Sequence, residues 1–468
     1  MSGLEWLDAG EAARLIASRR LSPVEYTRAL LDRIERHDGT LDSFIELRPE
    51  RALDAARAAE DAVMSGAALG PLHGVPYALK DIIDVEGWPT TAHSRLLDSA
   101  VARRDAEVAA RLGAAGGILL GKLSTHEFAL GGPSFDLPWP PARNPWDRTR
   151  SPGGSSSGSG AAVAAGFVPI ALGTDTGGSV RNPASMNGLF GMKATYGRVS
   201  RRGVVPLSFS LDHIGPLTRS VADNALALSV IAGHDPADPG SSGEPVPEFM
   251  PAAATNLAGV RIGVIRHFHL RDLTADPEMT AAFEAAVGLL ATLGAEIREI
   301  EVRPLAEYAA CNRVILLCEA CAIHEMWMKE RPGDYGRLLL ERLLPGLAFS
   351  GVDYVQATRT RARLAAEFNG LFDDIDAVVA INNMEPAFPI EEPEVAEYHY
   401  SRHARTPFNV TGNPALAVPT GFSSLGLPLS MQVITRLFDE ALAYRIAAAH
   451  EAAAGWTARH PDLGGTGT

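Results

Sequence analysis

The sequence predicts an α/β fold, with a β-sheet covered on both faces by helices. Two observations predict it. Short apolar runs that read as buried strands alternate with segments of helical period along most of the chain. The 468 residues are 46% hydrophobic and 21% charged. That is enough apolar mass for a large core and too little charge for a disordered chain.

Helices come first. Ser22-Pro-Val-Glu25 has the form of a capping box with proline at the first helical position, and Thr27, Leu30, Leu31 and Ile34 then share one helical face. Residues 1–65 are therefore read as an N-terminal helical segment packed on the main domain, which runs over 66–460. Within that domain Val75–Lys80 reads as a short buried strand. Asp105 is expected to cap a helix running to about Ala114. Ile118–Leu120 reads as a strand, 158–165 as a helix and Val168–Leu172 as a strand. The Pro-, Gly- and Ser-rich stretch His234–Thr255 reads as a surface linker inside the domain. Strands are expected at Val260–Ile265, Ile297–Val302 and Ala377–Ile381, and the region 415–434 returns to the sheet. A helix from about Pro277 and a helical section to about Asp373 lie between them. Residues 461–468 are expected as a disordered tail.

Composition narrows the function. Lys and Arg number 42 against 56 Asp and Glu, a net charge of −14. Such a surface repels polyanions, so neither nucleic acid nor an anionic membrane is expected as a partner. The N-terminus lacks a basic region followed by an apolar one, so no signal peptide is expected. The longest apolar stretch, 161–173, is broken by Gly166 and Pro169 and falls well short of the ~20 residues of a bilayer span. The expectation is a cytoplasmic enzyme. Cys311, Cys318 and Cys321 are too few for a disulfide framework, and Cys318-x-x-Cys321 sits in an apolar helical run as core. No metal-ligand spacing occurs, so no metal and no cofactor are expected.

Two loops carry the chemistry. Ser151-Pro-Gly-Gly-Ser-Ser-Ser-Gly-Ser-Gly160 leads into a helix, and Gly173-Thr-Asp-Thr-Gly-Gly-Ser179 follows a strand. Both are rich in glycine and hydroxyl groups, which leaves backbone N–H groups exposed beside potential nucleophiles. Phosphate binding, a flexible linker and catalysis all fit that composition, although neither loop matches a P-loop or dinucleotide pattern. A serine nucleophile needs a base, and no histidine lies near either loop. Lys80, at the end of an apolar strand where burial would lower its pKa, is the candidate, with an ion pair to Asp81 as its structural alternative. Lys122 ends a similar strand and is the rival lysine.

The run Gly153–Gly166, then Leu172–Arg181, then Gly191–Ser200 resembles the amidase signature family. So do Gly74–Asp81, Gly121–Phe128, Arg143–Asp147, Ser210–Pro216 and Gly426–Gln432, so the resemblance covers nearly the whole chain. It implies a single large domain on a central mixed β-sheet, and a hydrolase acting on non-peptide carbon–nitrogen bonds. It also implies a Ser–cisSer–Lys triad, carried onto Lys80, Ser155 and Ser179, with Ser179 as nucleophile. The oxyanion donors would be the N–H groups of Thr176, Gly177, Gly178 and Ser179. The expected activity is that of a free-standing amidase, with a small-molecule amide as its partner and a homodimer as its assembly. The alternative is the glutaminase subunit of a tRNA-dependent amidotransferase. His213 favours the free enzyme, because glutamine is expected there in the amidotransferase.

The chain departs from the family pattern at three places. Ser157 stands where glycine is expected and Gly160 where alanine is common. Asn382–Pro389 lacks a Thr-Pro-rich pattern and is expected near the substrate pocket. Phe135, Leu137 and Trp139, in the loop Gly131–Pro141, are candidates to contact an apolar acyl or aryl group.

Overall fold

The N-terminal residues form α1 (Ala9–Ala17), α2 (Pro23–His37), a strand β1 (Phe44–Leu47) and α3 (Pro49–Ser65) in a computed structural model that describes residues 3–250, 256–392 and 398–464. Ser22 caps α2 as its sequence predicts, its Oγ accepting from the N–H groups of Val24 and Glu25. Thr27, Leu30, Leu31 and Ile34 are the buried face, joined by Tyr26. The helical reading of this segment missed β1, whose four residues are only half-buried and give little period-2 signal.

The next unit is β2 (Pro76–Lys80), α4 (Glu107–Ala114) and β3 (Ile118–Leu123). Asp105 does not cap α4. Ala106 holds the cap position, and the Asp105 carboxylate accepts from the Glu86 N–H instead. The two glycine-rich loops follow, each followed by a short helix: α5 (Ser157–Ala164), β4 (Ile170–Asp175) and α6 (Arg181–Asn187). Then come β5 (Phe190–Lys193), β6 (His213–Thr218) and α7 (Val221–Ile231). After the linker, whose residues 251–255 lie outside those described, the chain forms β7 (Arg261–Ile265), α8 (Pro277–Thr292) and β8 (Glu296–Glu299). It continues through α9 (Leu305–Glu330), α10 (Arg337–Leu343), α11 (Gly351–Gly370) and β9 (Ala377–Ile381). It ends with α12 (Thr406–Thr411), β10 (Ala415–Phe422), β11 (Pro428–Thr435) and α13 (Glu440–Ala454).

All eleven strands join one mixed sheet in the order β1-β3-β2-β4-β6-β5-β10-β11-β9-β7-β8. Pairing is parallel for β3–β2–β4 and for β9–β7–β8, and antiparallel elsewhere. Helices cover both faces, and one hydrophobic cluster runs from Leu4 to Leu463, so the fold is a single domain. Leu463 falls in the segment expected as a disordered tail; it is buried, while 465–468 lie outside the described residues. Cys311, Cys318 and Cys321 are free thiols on α9, two of them buried, consistent with the core reading. Among the described residues no helix is long and apolar enough to cross a membrane.

The centre of the sheet matters most for function. β4 begins later than the sequence suggests and extends through Gly173-Thr-Asp175, because β6 pairs with it antiparallel along its whole length, Ile170 opposite Thr218 and Asp175 opposite His213. The second glycine-rich loop is therefore half strand, and only Thr176–Ser179 turns. On its other side β6 lies against β5, and Gly215 permits that close approach, since a Cβ there would lie 1.9 Å from the Met192 carbonyl oxygen. Gly215→Ala should lower stability by about 3 kcal/mol through overpacking against backbone. Gly288→Ala, in the open interior of α8, should raise it by about 1 kcal/mol through helix propensity. Chemical denaturation of both variants checks the contrast.

Candidate active site

β2 ends on Lys80, and β3 carries Lys122 beside it. In the parallel register Lys80 faces Leu123 and Leu79 faces Lys122, so the two lysines leave opposite faces of the sheet. Lys122 is buried in an ion pair with Asp81 at 2.8 Å and also donates to the Pro89 carbonyl and Thr90 Oγ1. It is a structural lysine, and Asp81 is its partner rather than that of Lys80. Lys80 Nζ instead donates to Ser155 Oγ at 2.7 Å and to Thr174 Oγ1 at 2.8 Å. Burial, only partly opposed by Asp212 and Asp175, lowers its pKa to about 7.

Ser155 lies in the first glycine-rich loop, after a cis Gly154–Ser155 peptide bond. Its carbonyl accepts from the His126 N–H and from Thr125 Oγ1, so the Gly121–Phe128 segment holds it in place. The two loops are stitched together by Ser156. Its N–H donates to the Ser179 carbonyl, and its Oγ bridges the N–H and carbonyl of Thr174. The structure thus brings Lys80, Ser155 and the Ser179 turn together. Among the described residues no hydrogen bond joins the Ser155 and Ser179 hydroxyls.

The turn itself is built around Asp175. Its buried carboxylate accepts from the N–H groups of Gly178, Val180 and Arg181, from the Arg181 guanidinium and from Asn409 Nδ2. Burial would raise the Asp175 carboxyl, but the Arg181 charge and these donors outweigh it and hold the group far below the usual carboxylate range. One expectation is corrected here. The Gly178 N–H is committed to Asp175 Oδ1 at 2.8 Å and does not serve as an oxyanion donor, which leaves Thr176, Gly177 and Ser179. Gly178 is needed for another reason. Its φ is +125°, and a Cβ there would sit 2.3 Å from Arg405 Nε.

Two cavities flank the turn. One of about 340 Å³ reaches Thr174, Asp212 and His213. A larger one of about 1230 Å³ is lined by Leu130, Asn312, Arg342, Tyr400 and His403, and Asn312 Nδ2 donates to the Thr176 carbonyl at its floor. None of Phe135, Leu137 and Trp139 lines either cavity: Phe135 is exposed and Leu137 is buried. Nor does Asn382–Pro389 line them. It packs behind α6, where Asn382 donates to the Arg181 carbonyl and Asn383 to Ser185 Oγ. His213 is a buried strand residue. Its Nδ1 faces the Leu211 and Asp175 carbonyls, and burial keeps its pKa well below the usual value. Ser157 and Gly160 fall in α5, and neither carries a group of the site. Among the described residues no cluster of His, Cys, Asp or Glu is placed to hold a metal ion.

Sequence reasoning missed Thr174, Ser156, Asp175 and Asn409. Thr174, Ser156 and Asp175 sit inside or beside the two loops, but hydroxyl and carboxylate groups there have no pattern that separates support from chemistry.

Comparison with known proteins agrees with this geometry. The family model described as Amidase matches residues 25–443. One chain of the Glutamyl-tRNA(Gln) amidotransferase of Chloroflexus aggregans is 38% identical over 99% of each chain. The solved structure of the corresponding Glutamyl-tRNA(Gln) amidotransferase chain of Thermotoga maritima is 31% identical, covers 99% of each chain and superposes with a TM-score of 0.85. Another solved structure belongs to a vestigial protein complex connected with the origins of an s-triazine catabolic enzyme. It is 34% identical, covers 98% of this chain and all of its own, and has a TM-score of 0.89. These likenesses overturn two expectations. The full-length relatives at 36–39% identity are named for an amidotransferase subunit rather than a free-standing hydrolase of small amides, and the single histidine that favoured the hydrolase is a buried support residue. The exclusion of nucleic acid also fails, since the relatives are named for a reaction on a tRNA. Net charge describes the surface of one chain and is silent about an assembly.

Asp175→Asn leaves the Arg181 charge buried without its counter-ion, and should cost about 3–5 kcal/mol. Asp147→Asn, which loosens a partly exposed pair with Arg150, should cost at most about 1 kcal/mol. Denaturant midpoints of the two variants measure the difference.

Proposed function

The chain belongs to the amidase family, and on that footing we propose that it is the glutaminase subunit of an amidotransferase, releasing ammonia from the side-chain amide of glutamine for use by a partner chain. The Lys80–Ser155 hydrogen bond carries the chemical half of this reading: a buried lysine, neutral near pH 7, bonded to a serine hydroxyl beside a turn of bare N–H groups. The full-length relatives support the choice of glutamine and of an assembly.

In the proposed reaction Ser179 Oγ attacks the amide carbon. Its proton passes to Ser155, whose own proton passes to neutral Lys80. The developing oxyanion is held by the N–H groups of Thr176, Gly177 and Ser179, each worth about 3 kcal/mol where such donors have been removed. The C–N bond then breaks as Ser155 returns a proton to the leaving nitrogen, which departs as ammonia, and Lys80 restores the Ser155 proton. Water adds to the acyl-enzyme by the same relay and releases glutamate.

Two measurements test this. The chain should release ammonia from glutamine, faster when joined by the other amidotransferase subunits and a glutamate-charged tRNA. Ser179→Ala should lower that rate by about 10⁴-fold or more. Turnover of simple neutral amides above that of glutamine, with no response to a partner, would sink the glutaminase reading. The second measurement is the pH profile. Lys80 must be neutral to accept a proton and loses its charge as pH rises through its lowered pKa. kcat/KM for glutamine should therefore rise with pH about a midpoint near 7. A profile flat from pH 6 to 8.5 would remove Lys80 from the base role.

A further inference from the structure

The loop Leu207–Asp212 ties the Ser179 turn to α9. Asp212 directs one carboxylate oxygen to the Thr176 hydroxyl at 2.5 Å and the other to the N–H groups of Leu207 and Ser208 at 2.8 and 3.0 Å. All three groups donate, which is the pattern an ionised carboxylate takes. Thr176 opens the turn that ends on Ser179, and its carbonyl accepts from Asn312 of α9. About two turns further along the same face of α9, Glu319 accepts from Ser208 Oγ, from the N–H and Oγ of Ser210 and from the Tyr354 hydroxyl. α9 therefore fixes the loop, and Asp212 passes that fixation to Thr176.

Asp212 also shares the 340 Å³ cavity with Thr174, whose hydroxyl accepts from Lys80 Nζ. Burial lowers the Lys80 pKa, and Asp212, ahead of Asp175, opposes it. The Asp175 charge is paired with Arg181. Arg201 acts on Asp212 but turns its guanidinium to Asp238 and the Phe209 carbonyl. His126, near Lys80, and His213, next to Asp212 in the chain, are kept neutral by burial. We propose that Asp212 is a positioning residue of the reaction, holding the Thr176 end of the turn and placing a negative charge behind Lys80. The charge keeps Lys80 basic enough to take a proton from Ser155. This rests on the relay through Lys80 proposed above, and not on the identity of the amide.

Acylation by p-nitrophenyl acetate tests the assignment apart from glutamine, because release of nitrophenol reports attack by Ser179 through the relay. In the unmutated chain its rate should rise with pH about a midpoint near 7. In Asp212→Asn the midpoint should move down by at least about 0.5 pH unit, since the charge that favours protonated Lys80 is gone. Asp212→Ser, also uncharged, serves if the asparagine variant does not fold. Thr176→Val keeps that charge and loses the hydroxyl. Its rate should fall about tenfold or more with the midpoint in place, and Thr176→Ser should restore the rate. Glu319→Gln, which loosens the loop from α9, should slow acylation without moving the midpoint. The proposal is overturned by uncharged Asp212 variants whose midpoint stays within about 0.2 unit of the unmutated chain's. Thr176→Val acylating at the unmutated rate, or an unmutated profile with no midpoint, overturns it as well. A shifted midpoint in a chain that releases no ammonia from glutamine leaves Asp212 its role and removes the glutaminase reading instead.

Discussion

The buried carboxylate of Asp175 is the constraint on which the rest of the site depends. It sits at the last position of β4 and accepts from three successive parts of the turn: the N–H of Gly178, the N–H groups of Val180 and Arg181, and the Arg181 side chain. A chain that leaves a strand, reverses and enters a helix within five residues exposes donors that water cannot reach. One carboxylate satisfies them together, which fixes where the hydroxyl of Ser179 and the N–H groups beside it stand. Through Arg181 the same carboxylate is coupled to Gln432 on β11, and through Asn409 to α12. The Ser179 turn is thus tied to strands and helices more than two hundred residues away in sequence.

The sheet supplies the second constraint. Two lysines end neighbouring apolar strands with nearly the same local sequence character. A register offset of one residue sends them to opposite faces. On one face Lys122 finds a carboxylate and stays part of an ion pair. On the other, Lys80 finds hydroxyl groups rather than a carboxylate within hydrogen-bond reach among the described residues, and burial without a counter-ion draws its pKa toward neutrality.

Charge balance and one histidine gave the wrong bias on function. Net charge is a sum over the whole chain, and says nothing of a local surface or of an assembly. His213 lies opposite Asp175 on β6 with its ring held by two carbonyls. A residue so placed supports the strand behind the turn and reports weakly on what the turn acts upon. The larger cavity lies where α9, α10 and the segment before α12 converge.

The sequence by itself determined the α/β class, most strands of the sheet and the loops that bear Ser155 and Ser179, because apolar period and glycine–hydroxyl clustering are local properties of the chain. Its motifs also singled out Lys80, Ser155 and Ser179. It did not reveal β1, β5 or β6, which are short or glycine-bearing and are fixed by pairing with distant strands. Only the tertiary structure decided that Lys122 is a support, that the Gly178 N–H is committed to Asp175, and that Asn382–Pro389 lies behind α6. Each of those depends on which groups meet across the sheet and how deeply they are buried, and hydrogen-bond partnership between residues far apart in the chain leaves no periodic trace in it.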